Sequence, residues 1–184
     1  MSGELKNKNI LLCVSGGIAA YKAADLASKL VAEGAVVKCI MTESACRLVQ
    51  PKTFEALTTR RVYTDLWSSP DEFRIGHVNL AEFADIVVVA PATANVIGKI
   101  ANGICDDLLT TTMCAVNAKP VLIAPAMNNN MWNNPAVQKN VETLKQFGYE
   151  LTGPATGRLA CGTEAVGRMS EPADILAKIV QTVK

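Results

Sequence analysis

The sequence predicts an α/β protein: a single doubly wound domain of the Rossmann or flavodoxin type, with helices on both faces of a parallel sheet. Short apolar runs alternate with helical patterns along most of the chain. The runs are almost continuously apolar, as in strands buried on both faces. The chain has 184 residues, 49% of them hydrophobic and 19% charged, which suits one compact domain better than two. We therefore expect one domain over residues 1–184, with no linker or internal repeat.

The first half of the domain is predicted to begin with a strand at Asn9–Val14. The chain then turns at residues 15–17, and apolar residues at helical spacing continue to about Glu33. A second strand is predicted at Val36–Met41, after which Thr42 begins a short helical segment. This strand–helix–strand order is the repeating unit of a parallel sheet.

The second half continues the alternation. Buried strands are predicted at residues 86–90 and 121–124, each ended by a proline. A helix is expected over residues 134–148, followed by a short strand at residues 149–151. The terminal helix is predicted to begin at Pro172, because proline is favoured in the first turn of a helix.

Charge and hydropathy exclude several classes of function. The net charge is +1 and there is no basic run, so neither nucleic acid nor an anionic membrane surface is indicated as a partner. The longest apolar run, residues 86–90, is far shorter than the roughly 20 residues that span a bilayer. The first residues lack the apolar region of a signal peptide. We expect a cytoplasmic protein.

The cysteine pattern favours reduced thiols over disulfides or a metal site. The six cysteines are Cys13, Cys39, Cys46, Cys105, Cys114 and Cys161. Several lie in apolar patterns, where cysteine behaves as a small hydrophobic residue. No C-x-x-C motif is present and there is one histidine, so no metal is expected. Five cysteines are predicted to pack in the fold, and Cys161 is the exception.

The glycine-rich turn between the first strand and the first helix is a candidate phosphate site. Gly16 and Gly17 would let the backbone approach a phosphate, and the following helix start supplies unpaired N–H groups. The spacing matches neither G-x-G-x-x-G nor the Walker motif. The alternative is a tight turn in which the glycines have steric reasons alone.

The end of the second strand bears on which cofactor would bind. A dinucleotide site calls for an acidic residue there, to hold the ribose. Thr42 and Ser44 instead offer two hydroxyls at a helix start, which suits a phosphate monoester better. Glu43 keeps a ribose ligand open, and the hydroxyls could also simply cap the helix.

Polar residues follow the two later strands as well. Thr93 and Asn95 come after residues 86–90, and Asn128 comes after residues 121–124. Ligands of open α/β sheets bind at the carboxyl ends of the strands. Asn128 can both donate and accept there, although a plain turn with a Met/Trp plug is the alternative. Asp106 and Asp107 fit helix capping or an interface as well as they fit catalysis.

His77 and Cys161 are the candidates for proton transfer. His77 is the single histidine and lies at a predicted loop–helix junction; histidine titrates near neutral pH. Cys161 lies in a stretch with glycines and two arginines, predicted as a mobile flap, where cationic neighbours can lower a thiol pKa. A surface histidine and an incidental loop cysteine are the alternatives.

Taken together, these segments resemble the homo-oligomeric flavin-containing cysteine decarboxylases, most of all the phosphopantothenoylcysteine decarboxylases. The resemblance covers nearly the whole chain, and its most specific part is Pro-Ala-Met-Asn-x-x-Met-Trp at residues 125–132. The matching segments are residues 15–22, 42–44, His77, residues 91–95, 103–109, 125–132 and 160–162.

The resemblance implies a flavoprotein that binds FMN. It implies phosphate contacts from Gly17, Ile18, Ala19, Thr42 and Ser44. It places the flavin along Thr93, Ala94, Asn95, Val96 and Ala126. The family also implies a site built between subunits of a homo-oligomer, a trimer or a dodecamer assembled from trimers.

The implied activity is that of a lyase of coenzyme A biosynthesis, decarboxylation of the small molecule 4′-phosphopantothenoylcysteine to 4′-phosphopantetheine. The cysteine-derived carbon is oxidised to a thioaldehyde, carbon dioxide leaves to give an enethiol, and the enethiol is reduced. His77 would be the base or orienting group, Asn128 would hold the substrate carboxylate beside Met131, and Cys161 would donate the last proton. Thr163 stands where the family usually has aspartate.

Three alternatives differ in chemistry. Oxidative decarboxylation of a peptide's C-terminal cysteine would stop at the enethiol, and Cys161 argues against it. A regulatory flavin-binding subunit would usually carry acidic tails, and a flavin prenyltransferase-like protein would lack the motif at residues 125–132. A stand-alone enzyme is the expectation, with a fragment of a protein fused to a ligase domain as the alternative.

Overall fold

The predicted fold class is confirmed by the computed structural model, which describes residues 3–67, 76–158, 162 and 164–183. Within these residues six strands form one sheet, all paired in parallel. They are β1 (Asn9–Val14), β2 (Val36–Met41), β3 (Val62–Tyr63), β4 (Ile86–Ala92), β5 (Val121–Pro125) and β6 (Glu150–Leu151). Their order is β3-β2-β1-β4-β5-β6, that of the Rossmann sheet, whose ligand crevice lies where the order reverses between β1 and β4.

Helices cover both faces of the sheet. In chain order they are α1 (Ala20–Ala32), α2 (Glu43–Cys46), α3 (Pro51–Thr58), α4 (Gly76–Phe83), α5 (Ala94–Ala101), α6 (Leu108–Ala115), α7 (Asn129–Trp132), α8 (Pro135–Gln146) and α9 (Pro172–Val183). One core cluster includes residues of α1, α3 and α9, and the other includes residues of α4, α5, α6 and α8. Alternate residues of β1 point into the two clusters, Leu12 into the first and Leu11 into the second. This two-sided burial explains the continuous apolar runs.

The central strands agree with the prediction, with two differences at their ends. β1 and β2 have the predicted bounds, whereas β4 continues to Ala92 and β5 to Pro125. Proline was expected to stop β4 because it lacks an N–H. The register instead shifts between Val89 and Ala92, and pairing resumes between Ala92 and Pro125. A bulge is where a sheet accommodates proline.

Two short elements after β2 were not predicted. They are α3 and the edge strand β3, which has two residues.

The later helices α6 and α8 begin at residues whose side chains cap them. Asn134 caps α8 through its side chain, with Pro135 in the first turn, and Asp107 forms a capping box with Thr110 at the start of α6.

Residues 157–169 were predicted as a mobile flap rather than a core element. Most of their described part has regular structure, which was not predicted, and the mobility stays a prediction. β7 (Ala155–Arg158) and β8 (Glu164–Arg168) form an antiparallel hairpin separate from the main sheet. Apolar and polar residues do not alternate along these two strands, because most of their residues are exposed or half-buried. The hairpin is attached to the domain by its backbone, as described below.

The cysteine prediction is only partly confirmed. Cys13 and Cys39 are buried, but Cys105 and Cys114 are exposed, so these two do not pack in the core as expected. Burial raises the pKa of Cys13, and it raises that of Cys39 to about 12. A hydrogen bond with Cys114 raises the pKa of Cys105 to about 11. These three groups are thiols at neutral pH.

In the described ranges, no helix has the length and apolar character needed to cross a bilayer.

Candidate active site

The glycine turn lies between β1 and α1 and is fixed by contacts with neighbouring strand ends. Ser15 is buried; its hydroxyl donates to the Pro91 carbonyl at 2.7 Å and accepts from the Thr93 N–H at 3.1 Å. A Cβ on Gly16 would lie 2.3 Å from the Ser44 Cβ. A side chain at Gly16 would therefore push the ends of β1 and β2 apart.

The first turn of α1 offers unpaired backbone donors. Ala19 is the N-cap residue, and no side chain caps the helix. Within the described part of the chain, the N–H groups of Ile18 and Ala19 have no hydrogen-bond acceptor. Unpaired amides at the start of a thirteen-residue helix form a binding site for an anion.

A cavity of about 800 Å³ opens in front of this turn. Its walls come from the turn and α1, the ends of β4 and β5, α7 and the hairpin. The described lining residues are Gly16, Gly17, Ile18, Ala19, Tyr21, Lys22, Thr93, Ala126, Met127, Asn128, Met131, Arg158, Gly167, Arg168 and Met169. This volume is within the range of cofactor and small-ligand sites.

Asn128 lies on the cavity wall at the end of β5, as predicted. Its Oδ1 accepts from the Asn130 N–H at 2.8 Å and so caps α7. Met131 follows in that helix and is 48% exposed on the same wall. The short helix therefore presents one amide and one thioether to the cavity.

The hairpin borders the cavity next to Asn128, where a backbone contact holds it. The Met127 N–H donates to the Gly167 carbonyl at 2.9 Å. A Cβ on Gly167 would lie 2.2 Å from the Met127 carbonyl oxygen, and the φ angle there is +144°. Glycine is required because any side chain would separate β8 from the loop that carries Asn128.

One carboxylate ties two cations of the cavity wall together. Glu171 Oε1 accepts from Lys22 Nζ at 2.8 Å and from Arg168 Nη2 at 2.7 Å. The Lys22 side chain is 8% exposed, whereas that of Glu171 is 49% exposed. The hydrogen bond from Lys22 holds the pKa of Glu171 below its usual range, with the charge of Arg168 adding to the effect.

Seven of the residues predicted for the site line this cavity. They are Gly17, Ile18, Ala19, Thr93, Ala126, Asn128 and Met131. Ala94, Asn95 and Val96 form the first turn of α5 and do not line it. Val96 is buried in the core, and its N–H donates to the capping hydroxyl of Thr93.

Thr42 and Ser44 have different positions. The Thr42 hydroxyl caps α2 by accepting from the Ala45 N–H, so the capping alternative holds for this residue. Thr42 lines a second cavity together with Glu43, Asp106 and Asp107. Ser44 packs against Gly16 and adjoins the glycine turn.

The predicted proton-transfer residues are not seen beside Asn128. His77 lies in the first turn of α4, half-buried, and does not line the cavity of its own chain. α4 packs on the face of the sheet opposite to α1. Cys161 and Thr163 lie outside the described residues. Among the described residues, no group of three or more His, Cys, Asp and Glu could hold a metal ion.

Sequence reasoning missed the basic residues of the wall and Gly167. Lys22 was part of the glycine-rich segment, and Arg158 and Arg168 were noted for their charge near Cys161, yet none was assigned a contact. The arginines on both sides of Cys161 were the available signal. Their convergence depends on the hairpin, which the sequence did not predict.

The fold and the cavity define an α/β protein that binds a nucleotide-like cofactor at the switch point of its sheet. The profile of the Flavoprotein family matches residues 1–184. The chain belongs to the flavoprotein family.

Individual relatives agree with this assignment. The chain is 57% identical over 172 residues to the "Coenzyme A biosynthesis bifunctional protein CoaBC" of Bacillus subtilis, covering 94% of this chain and 42% of that protein. The chain thus spans less than half the length of the first curated relatives it matches.

Two solved structures share the fold over nearly their full length. A cysteine-to-serine variant of a PPC decarboxylase, complexed with pantothenoylaminoethenethiol, is 35% identical with a TM-score of 0.84, covering 95% of this chain and 97% of that chain. The FMN binding protein AtHal3 is 35% identical with a TM-score of 0.82, covering 95% of both chains.

Proposed function

We propose that this chain is an FMN-dependent decarboxylase that converts 4′-phosphopantothenoylcysteine to 4′-phosphopantetheine, a cytoplasmic step of coenzyme A biosynthesis. One observation carries the proposal: Asn128 and Met131, from the most specific motif of the sequence, line the same cavity as the glycine turn and the start of α1. The PPC decarboxylase complex and the FMN binding protein among its structural relatives support the same activity.

The residues at the glycine turn fit the phosphate of FMN. The unpaired amides of Ile18 and Ala19 can donate to phosphate oxygens, and Gly17 leaves room for them. Thr93 and Ala126 would flank the ring system of the flavin. Cofactor contacts remain predictions for five further residues: Thr42, Ser44, Ala94, Asn95 and Val96. Bound FMN would supply a two-electron acceptor for the carbon next to sulfur.

The substrate side of the cavity is proposed to be α7. The Asn128 Oδ1 accepts from the backbone of its own helix, and we assign to Nδ2, the donor group of the amide, the contact with the substrate carboxylate. Met131 would pack against the apolar part of the substrate. Cys161 would give the final proton to carbon.

A homo-oligomer, trimeric or dodecameric, is part of the proposal. His77 does not line the cavity of its own chain, so we place it at the cavity of a neighbouring copy. Ile18 is 67% exposed and Tyr21 is 62% exposed at the mouth of the cavity, where a second copy could cover them. His77 would there act as base or orient the substrate.

The activity is tested by incubating the purified protein with 4′-phosphopantothenoylcysteine and following product mass and flavin absorbance together. Loss of carbon dioxide alone, with oxidised flavin at the end, is the expected result. Loss of carbon dioxide plus two hydrogens, with bleached flavin, would assign oxidative decarboxylation instead. A flavin-bound protein that forms no product would contradict an enzymatic role.

The role of Cys161 predicts a partial reaction. In Cys161→Ser, flavin should remain bound and carbon dioxide should still leave, but the enethiol should accumulate because a hydroxyl is a far weaker acid than a thiol. A structural relative with a cysteine-to-serine change was crystallised with an aminoethenethiol, which agrees with this expectation. Mass spectrometry of the released product measures it, and 4′-phosphopantetheine formed at the normal rate would refute the role.

A further inference from the structure

The wall of the main cavity carries cations but, among its described residues, no carboxylate. Lys22, Arg158 and Arg168 line it, and neither aspartate nor glutamate does. Glu171, which lies behind the wall, balances one of these charges by pairing with both Lys22 and Arg168. The cavity therefore has an excess of positive charge, although the whole chain has a net charge of only +1.

The anion-binding groups of the cavity come from two elements. The start of α1 supplies the unpaired amides of Ile18 and Ala19, and the hairpin supplies Arg158 and Arg168. Lys22 of α1 and Arg168 of the hairpin meet at Glu171, so the two elements adjoin there. The amides at the start of α1 fit the cofactor phosphate, which leaves the arginines of the hairpin without an assigned anion.

Arg168 is held in position at the base of the hairpin. Its Nη2 donates to Glu171 at 2.7 Å, and a Cβ on Gly157 would lie 3.2 Å from its Nη1, so the guanidinium lies over that glycine. A guanidinium has five N–H donors, and one bond to a carboxylate leaves others for a ligand. A fixed orientation makes Arg168 suited to a phosphate, which arginine binds through paired N–H groups.

Arg158 is an exposed cation of the same cavity. It stands opposite Glu164 in the hairpin register, but these two side chains form no ion pair. No hydrogen bond or ion pair of Arg158 is found within the part of the chain that the structure describes. Its side chain lines the cavity, so its charge would face a ligand there.

We infer that Arg158 and Arg168 form a subsite for the phosphate monoester of the substrate, and so select phosphorylated over unphosphorylated pantothenoylcysteine. The inference rests on the proposed function, because that substrate carries a phosphate remote from its reacting cysteine. A phosphate at this distance from the reaction contributes binding energy and position. The hairpin is thus the specificity element of the site.

The test compares two substrates, 4′-phosphopantothenoylcysteine and pantothenoylcysteine, in wild type, Arg158→Gln and Arg168→Gln. Each substitution should lower kcat/KM for the phosphorylated substrate by roughly 10- to 100-fold, as expected for loss of a charged hydrogen bond. The value for the unphosphorylated substrate should change little. Arg158→Lys should recover part of the loss because the charge remains. Arg60→Gln, an exposed arginine outside both cavities, is the matched control.

A binding measurement makes the test independent of turnover. Calorimetry with 4′-phosphopantothenate and with pantothenate should show the same loss of phosphate preference in both variants, at unchanged flavin content. The melting temperature should be unchanged in Arg158→Gln and slightly lower in Arg168→Gln, which loses its bond to Glu171. An equal loss for both substrates, or loss of flavin, would overturn the inference and assign the arginines to hairpin packing or the cofactor. If the wild-type protein turned over neither substrate, that result would contradict the proposed function. The subsite would still be supported if that protein bound 4′-phosphopantothenate more tightly than pantothenate.

Discussion

Asn128 combines two tasks in one side chain. It caps α7 through Oδ1 and lines the cavity, so the position of the amide is set by the helix it begins. Asparagine and aspartate are equally good N-caps. The structural task and the chemical task of this residue can therefore be separated by a single substitution.

Asn128→Asp should preserve the cap but strongly weaken substrate binding. The carboxylate still accepts from the Asn130 N–H, but it repels the substrate carboxylate where the amide would donate to it. We expect kcat/KM to fall at least roughly 100-fold, about 3 kcal/mol, with flavin content and melting temperature unchanged. Steady-state kinetics measure the effect, and normal turnover would remove the carboxylate-holding role from Asn128.

Single residues were predictable where their contacts are local in sequence. Gly17, Ile18 and Ala19 follow directly from a strand-to-helix turn, and Asp107 follows from a capping pattern. The position of Thr42 depends on which cavity its helix borders, and that of His77 depends on which copy of the chain its helix faces. No local sequence pattern determines either. Arg158 and Arg168 reach the cavity only through the docking of a hairpin.

Among the elements, the hairpin is attached to the domain by a contact that leaves no room for a side chain. Its strand β8 docks through the Gly167 carbonyl, with no space for a Cβ against Met127. The strands of the main sheet were predictable because burial on both faces makes them continuously apolar. The hairpin and β3 were not, because one is held by backbone contacts and the other has two residues at an edge.

Gly167→Ala should undock the hairpin. The added Cβ would lie 2.2 Å from the Met127 carbonyl oxygen, so the strand must move. We expect a loss of about 1–3 kcal/mol in unfolding free energy, at about 2–4 °C in Tm per kcal/mol for a chain of this size, and a loss of substrate affinity. Thermal denaturation and KM measure the two effects.

Gly98→Ala is the matched control for that substitution. Gly98 lies inside α5, and a Cβ added there would lie 3.4 Å from its nearest neighbour, Asn140 Nδ2. Alanine in a helix interior is favoured over glycine by roughly 0.5–1 kcal/mol, so Tm should rise slightly. A Gly167→Ala protein as stable as wild type, with normal KM, would show that the hairpin does not need this contact.

Across the molecule, Glu171 joins three parts of the fold. It precedes α9, and it pairs with Lys22 of α1 and with Arg168 of the hairpin. Lys22 is almost fully buried, so the carboxylate compensates a charge that is largely removed from water. The cavity wall and the last helix are stabilised by the same ion pair.

This arrangement predicts acid sensitivity. The pKa of Glu171 is lowered in the folded state, chiefly by the hydrogen bond from Lys22. Its stabilising contribution is therefore fully present above the unfolded carboxyl pKa of about 4.3 and is lost as pH falls through the lower folded value. Since half of the Glu171 side chain is exposed, solvent screening limits the contribution to about 1 kcal/mol.

The measurement is Tm against pH for wild type and Glu171→Gln. The variant should melt about 2–4 °C below wild type at neutral pH, and the two curves should converge in acid as the wild-type carboxylate becomes protonated. A difference in Tm that stays constant from neutral pH into acid would rule out ionisation of Glu171 as its cause.

The proposed assembly predicts complementation between two inactive variants. His77→Ala and Asn128→Asp proteins should each be inactive, but copies mixed and reassembled should regain activity if His77 serves the cavity of another copy. Random mixing in equal amounts restores about a quarter of the sites, because each site draws one residue from each of two copies. Activity that stays absent after verified subunit exchange would place both residues in one chain's site.

The cavity joins segments that are far apart in sequence, and this has a consequence during synthesis. Gly16 and Gly17 are translated long before Gly167, Arg168 and Glu171. Until those residues have been added, Lys22 of the nascent chain lacks its partner Glu171 and the cavity lacks the hairpin. We therefore expect a nascent chain to retain flavin only after the hairpin and the start of α9 have been translated.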